Sequence, residues 1–180
     1  PEFTKSKRSI PFVAQWTGIW YYTDTVRSSI LRFKFSGRSW YAKTYGVLTA
    51  QCVQDHLTGK YDLISWVPVS RKRKRKRGYD QAFLLARETA KHLGETLLPT
   101  LEKVRHNKAQ SSLEDDAARR ANVLGAYRVL DPVQIEGKRV LLVDDVVTTG
   151  QTLSECARTL RMAGAEDVLC VTLAKAREQS

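Results

Sequence analysis

The sequence predicts an α/β fold, with a mostly parallel sheet carrying helices on both faces. Three observations predict it. The run Val140-Leu141-Leu142-Val143 is apolar at every position and bounded by polar residues. A strand apolar at every position is buried on both faces, as strands of parallel sheets are. Strand-like and helix-like segments alternate along the chain, and parallel strands need helical crossovers. Gly and Pro punctuate the segments where crossovers should begin and end. With 180 residues the chain can bury a sizeable core, and we read residues 13–180 as one domain behind an arm of residues 1–12.

The elements follow in order. Pro1-Glu2-Phe3 reads as an expression-vector remnant, and the arm up to about Phe12 is expected to be flexible. Ala14 to Tyr22 carries Trp16, Trp20, Tyr21 and Tyr22. Aromatic residues near a terminus are expected to dock the segment on the core, with base stacking as the alternative. Thr25 to Phe35 is an amphipathic helix with Val26, Ile30, Leu31 and Phe35 on one side, broken by Gly37. A longer helix spans about Ser39 to Leu57, with Gly59 as its stop. The strand Tyr61 to Val69 ends at Pro68, which lacks a ladder donor. Arg71 to Arg77 is seven consecutive cations, whose mutual repulsion predicts an exposed, mobile loop ended by Gly78.

A helix from about Asp80 to Leu93 turns Ala82, Leu85, Ala86, Ala90 and Leu93 inward and is capped by Gly94. A short strand around Leu101 to Arg105 precedes the polar stretch His106 to Ser112. The capping box Ser111-x-x-Glu114 opens a helix to about Asn122. Tyr127 to Leu130 is a strand and Asp131-Pro132 turns the chain. The apolar run then forms a strand beginning at Arg139. The next helix has Leu153, Cys156, Ala157, Leu160 and Ala163 on its apolar stripe and Gly164 as its stop. Asp167 to Leu173 is the last strand.

The candidate site is the strand-to-helix junction Asp144-Asp145-Val146-Val147-Thr148-Thr149-Gly150-Gln151-Thr152. A helix N-terminus presents unpaired N–H groups and the positive end of a dipole. Gly150 lets a ligand approach the backbone, and Thr148, Thr149 and Thr152 add hydroxyl donors. Together they form a cradle for one phosphate. Asp144 and Asp145 stand a few residues earlier, suited to sugar hydroxyls or a hydrated magnesium ion. A phosphate and, a sugar's width away, a pair of hydroxyls describe a ribose 5-phosphate.

The junction resembles the 5-phosphoribosyl-1-pyrophosphate (PRPP) motif of type I phosphoribosyltransferases: apolar strand, two acids, two variable residues, then Thr-Thr-Gly-x-Thr. The remaining blocks resemble the ComF (ComFC) competence protein family. They are Val67-Pro68-Val69-Ser70, then the basic run, then Arg77-Gly78-Tyr79-Asp80-Gln81-Ala82-Phe83-Leu84-Leu85-Ala86. A second block is Arg105, Gln110, Leu113, Arg120, Asn122, Gly125, Ala126 and Tyr127, and a third is Lys34-Phe35-x-Gly37. The resemblance implies a type I phosphoribosyltransferase fold and a cytoplasmic role in DNA uptake during natural transformation, beside a helicase-like competence ATPase and on single-stranded DNA. It places Val69, Ser70 and Arg71 in the pyrophosphate loop and a mobile lid, with Arg105, Lys108 and Gln110, at 105–112. It also implies Mg²⁺ accompanying PRPP at Asp144 and Asp145. The family pattern has Asn where this chain has Asp80. Family members usually begin with a four-cysteine zinc ribbon, and this sequence contains no such set, so no zinc is expected here.

The net charge of +11 points to polyanionic partners, and Arg71 to Arg77 supplies seven of those charges. Lys72, Arg73, Lys74, Arg75, Lys76 and Arg77 either close over a pyrophosphate or bind a nucleic-acid backbone. Hydrophobic content of 42% and charged content of 27% are ordinary for a globular protein, and no apolar run reaches the length of a membrane span. Cys52, Cys156 and Cys170 signal neither a disulfide framework nor a zinc site. No side chain is an obvious general base, and no catalytic residue is assigned. The favoured reading is a phosphoribosyltransferase-like competence protein that binds PRPP and single-stranded DNA. The alternative is an active transferase passing phosphoribose from PRPP to a nucleobase or amine. A PRPP-sensing transcriptional regulator ranks last, for want of a helix-turn-helix signature.

Overall fold

The computed structural model describes residues 9–35, 40–105 and 123–176. In chain order its elements are β1 (Gln15–Tyr21), α1 (Asp24–Phe35), α2 (Tyr41–His56), β2 (Leu63–Trp66), α3 (Arg71–Arg77) and α4 (Gln81–Leu93). There follow β3 (Leu101–Lys103), β4 (Tyr127–Val129), a single 3-10 turn, β5 (Arg139–Val147), α5 (Gln151–Met162) and β6 (Asp167–Lys175). Four strands form a parallel sheet in the order β1-β6-β5-β2, and β3 with β4 makes a separate antiparallel pair.

β5 is the spine. Its residues 140 to 143 are fully buried, and alternate side chains enter different cores. Val140 and Leu142 pack with Cys156, Ala157 and Leu160 of α5 and with Tyr127. Leu141 and Val143 pack with Ile30 and Phe33 of α1, Val53 of α2 and Leu85 of α4. Each fully buried aliphatic side chain here contributes roughly 1.5–3 kcal/mol. The strand's first residue is anchored to its neighbour: the Arg139 backbone N–H and Nε donate to Asp62 Oδ2 at 2.8 and 3.0 Å, and Nη2 donates to Oδ1 at 2.8 Å. These bonds hold the Asp62 carboxyl at about 2, below the usual carboxylate range.

Several expectations are corrected. The sequence read Arg71 to Arg77 as a mobile loop, but it forms the helix α3. Arg and Lys are good helix formers, and both ends are capped. The Ser70 hydroxyl accepts from the Arg73 N–H, and Gly78, at φ 84°, donates its N–H to the Lys74 carbonyl. The aromatic segment at the start of the domain does dock, as β1 on the edge of the sheet beside β6, with Trp16 buried. Ile10, expected in a flexible arm, is only 2% exposed and belongs to the core under α5. β5 does not stop before its acids but runs through them to Val147. The expected helix from Ser111 to Asn122 lies outside the described residues.

The α2 and α4 backbones approach each other at Gly46. A methyl group there would overlap Glu88 Cβ and sit 3.0 Å from the Glu88 carbonyl carbon. Neither atom can swing away. Gly46→Ala therefore lowers stability by about 1–3 kcal/mol through overpacking, read as a fall in Tm of about 2–4 °C per kcal/mol. An unchanged Tm would mean that this helix contact is looser than described.

Candidate ligand site at the strand ends

After β5 the chain passes to α5 on one face of the sheet. After β2 it passes through α3 to α4 on the other. Between neighbouring strands whose connections leave to opposite faces, the C-terminal ends open a crevice. The loop 148–150 and the loop 67–70 both emerge there. Gly150 stands at the N-cap of α5 with φ 81°, and a Cβ there would meet Ile10 Cγ1 at 3.0 Å. The first intrahelical bond runs from the Ser154 N–H to the Gly150 carbonyl at 2.8 Å, so the amides before it point out of the helix end. A small hollow, partly open to solvent, is lined by Asp144, Val146, Val147, Thr148, Gly150, Gln151, Thr152 and Leu153. Seven of these residues belong to the junction singled out in the sequence; Thr149 and Asp145 are not among the lining.

Because β5 continues through the two acids, they fall on opposite faces of the sheet. Asp144 faces the hollow and the α5 side. Its Oδ1 accepts from the Asp145 backbone N–H at 2.8 Å. Burial, and then the neighbouring Asp145 carboxylate, push the Asp144 carboxyl up to about 8. Asp145 is 4% exposed and faces the other core, where Lys34 Nζ stands 2.9 Å from its Oδ2. The expectation that both acids serve the same ligand is thus revised: Asp144 meets the hollow, while Asp145 is engaged by a lysine from the last turn of α1.

The expected pyrophosphate-loop residues lie across the crevice. The Val69 N–H donates to Asp80 Oδ2 at 3.1 Å, so that amide is already used. Asp80 is buried, and its Oδ1 also caps α4 by accepting from the Phe83 N–H at 3.2 Å. Burial pushes this carboxyl up. Ser70 is buried and Arg71 is exposed, its Nη2 3.8 Å from Glu102 Oε2. Within α3, Arg73 and Arg77 are half-buried and four residues apart, hence on one side. Arg77 donates to Gln81 Oε1 at 2.7 Å and feels the charge of Asp145. Lys72, Lys74, Arg75 and Lys76 face solvent. Of the expected lid, Arg105 is exposed with Nη1 donating to the Leu124 carbonyl at 3.3 Å; Lys108 and Gln110 lie outside the described residues.

Two residues at the site received no role from the sequence. Lys34 sits in the block Lys34-Phe35-x-Gly37, whose resemblance gave the only signal. Lys103 had none, lying in a three-residue strand. Its Nζ donates to the Tyr127 hydroxyl at 3.1 Å and stands 4.9 Å from that ring's centroid. Burial and the charge of Arg73 lower its pKa, and the field of Asp144 opposes them. Among the described residues, no group of three or more His, Cys, Asp or Glu could hold a metal ion. All three cysteines are buried free thiols.

A carboxyl raised from about 4 in the unfolded chain to about 8 in the fold binds its proton more tightly when folded. Its contribution is therefore complete at low pH and is lost as pH rises through that window. Asp144→Asn cannot ionise there, so its Tm should exceed that of the unsubstituted protein by a margin that widens between pH 4 and 8 and then levels off. Melting curves on a pH series measure this, at about 2–4 °C per kcal/mol relieved. Parallel curves would show that the Asp144 carboxyl is not raised in the fold.

Comparison with known proteins now fits onto this geometry. The family model described as a phosphoribosyl transferase domain matches residues 80–180. Competence protein F of Haemophilus influenzae is 33% identical over 164 residues, covering 88% of this chain and 71% of that protein. The DNA utilization protein YhgH of Salmonella typhimurium is 35% identical, covering 84% of this chain and 70% of that protein. Competence protein ComFC of Bacillus subtilis is 26% identical, covering 81% and 58%. The chain belongs to the ComF competence-protein family, built on a phosphoribosyl transferase domain.

Proposed function

We propose that the chain binds PRPP in the strand-end hollow and single-stranded DNA along α3, and that it serves DNA uptake in the cytoplasm beside a helicase-like ATPase. One observation carries the first half: Asp144, Thr148, Gly150, Gln151 and Thr152 line a single hollow at the N-terminus of α5. The amides and hydroxyls of that turn suit a 5-phosphate. Asp144, nearer the sheet, suits a ribose hydroxyl, and its perturbed carboxyl is what a functional cleft tends to hold. Magnesium fits as an ion that arrives on the diphosphate with its waters, because a single carboxylate reaches into the hollow and Mg²⁺ readily keeps a mostly aqueous shell. The ion would offset the diphosphate charge. Asp145 would act at a distance, held by Lys34.

The second half is supported by α3. Seven cations on one short helix repel one another, like charges at i,i+4 costing roughly 0.2–0.5 kcal/mol per pair. A phosphate backbone along the outward cations relieves that repulsion and releases counterions. The names of the relatives, competence protein and DNA utilization protein, agree with a DNA ligand. Among the described residues no helix is long and apolar enough to cross a membrane.

A second reading, phosphoribosyl transfer with pyrophosphate leaving, is favoured by the same raised carboxyl of Asp144. Positive charge developing at the ribose C1 as the bond to pyrophosphate breaks would be met by the Asp144 carboxylate once it ionises, at a pH of about 8 or above. Pyrophosphate release on adding a nucleobase or amine would support transfer; its absence with every acceptor would leave binding alone.

Calorimetric titration of PRPP with Mg²⁺ at about pH 9, where Asp144 is ionised, should show binding that Asp144→Asn weakens about ten- to hundredfold, the worth of charge-assisted hydrogen bonds. Gly150→Ala should weaken it about tenfold or more through left-handed backbone strain. No heat with the unsubstituted protein would refute the PRPP reading. Independently, changing Lys72, Lys74, Arg75 and Lys76 to Gln should flatten the salt dependence of single-stranded DNA binding, by about 0.7 in log–log slope for each phosphate no longer neutralised. An unaltered slope would remove α3 from the DNA site.

A further inference from the structure

We propose that Trp40 and Tyr41 form a base-stacking platform for the single-stranded DNA whose backbone α3 holds, so that the strand runs across the rim of the crevice. The proposal rests on the DNA reading above and adds a site to it. Trp40 is 61% exposed at the head of α2, although it carries the largest apolar side chain type in the sequence. It is not a loose side chain: its ring stacks on Tyr41 with centroids 4.4 Å apart and planes at 24°. That is the offset-parallel geometry which a nucleobase extends by one more layer.

The pair is tied to the basic helix by a continuous series of rings. Tyr41 lies 5.6 Å from Tyr45, Tyr45 lies 5.6 Å from Phe33, and Phe33 lies 6.2 Å from Tyr79. Tyr79 follows Gly78, the residue that caps α3, and its hydroxyl donates to the Phe33 carbonyl. Lys34, the neighbour of Phe33, reaches Asp145 at the end of β5, so this series runs along the strand-end side of the molecule. The rings in the middle are packed into the core: Phe33 is fully buried and Tyr45 is 5% exposed. Only the Trp40 end of the series opens widely to solvent. Lys43 is exposed one turn into α2, and the first turn of that helix carries no acid to repel a backbone phosphate. Charge on α3 and an open aromatic face on α2 together match the two needs of sequence-tolerant single-strand binding: a cationic track and stacking surfaces.

The test is equilibrium binding of a labelled thymidine oligonucleotide by anisotropy over a salt series, with Trp40→Ala, Trp40→Phe and the α3 glutamine variant side by side. Trp40→Ala should weaken binding about 5- to 150-fold, the worth of one stacked base, with the salt slope unchanged. Trp40→Phe should restore most of the affinity and lose the share of tryptophan quenching on DNA binding that Trp40 should give in the unsubstituted protein. Because Trp40 is exposed, the Tm of both variants should stay put, which separates a missing stacking surface from a failure to fold. DNA binding that is salt-dependent yet indifferent to Trp40→Ala would overturn this proposal and leave the DNA reading standing. So would a concentration-dependent mass that Trp40→Ala abolishes without changing DNA affinity, which would assign the pair to an interface between copies. No binding of the oligonucleotide by the unsubstituted protein would overturn the DNA reading itself.

Discussion

Strand β5 must be covered on both faces, because every side chain from Val140 to Val143 is fully buried. That requirement places α5 on one side and α1, α2 and α4 on the other. It also decides what the acids can do. A strand has a period of two, and β5 keeps that period through Asp144 and Asp145; beyond them Val146 packs with the core of Leu141 and Val143, and Val147 with that of Val140 and Leu142. The two carboxylates are thereby separated by the sheet itself. One is delivered to the hollow at the head of α5, and the other is delivered to Lys34. The division follows from the strand and needs no special loop.

The same geometry concentrates charge at one end of the molecule. A half-buried carboxyl, an ion pair on one face of the sheet and a helix of seven cations all stand at the C-terminal edge of the strands. Asp80 holds the loop after β2 in place by accepting from the Val69 N–H while it caps α4. Asp80 thus positions α3 together with the Arg77–Gln81 hydrogen bond and the Arg71–Glu102 ion pair. Arg73 and Arg77 are half-buried and the remaining cations of α3 are exposed, so under the proposed reading one short helix would meet both a small phosphorylated ligand and a longer polyanion.

Much of this was legible in the sequence, for definite physical reasons. The apolar run, the Thr-Thr-Gly-x-Thr turn and the stripe from Leu153 to Leu160 are local patterns, and each fixes its own element. The helices α1, α2 and α4 emerge within a few residues of their expected bounds for the same reason. What stayed illegible depends on tertiary context. Charge repulsion argued for a loop at Arg71–Arg77, yet Ser70 and Gly78 cap a helix there. β1 was readable only as an aromatic segment that docks, since its partner β6 lies at the other end of the chain. The Lys34–Asp145 pair joins residues more than a hundred positions apart, and the pairing of Lys103 with Tyr127 depends on the β3–β4 register. No local pattern encodes contacts of that kind.

The central claim is that the turn at Thr148–Thr152 receives the 5-phosphate of a phosphorylated ribose. Phosphorus NMR of PRPP with Mg²⁺ tests it most directly, because the 5-phosphate and the diphosphate give separate resonances. Adding the protein should shift or broaden the 5-phosphate resonance, and Gly150→Ala should remove this effect. A response confined to the diphosphate, unaltered by Gly150→Ala, would place the ligand on the cations of α3 and contradict the account.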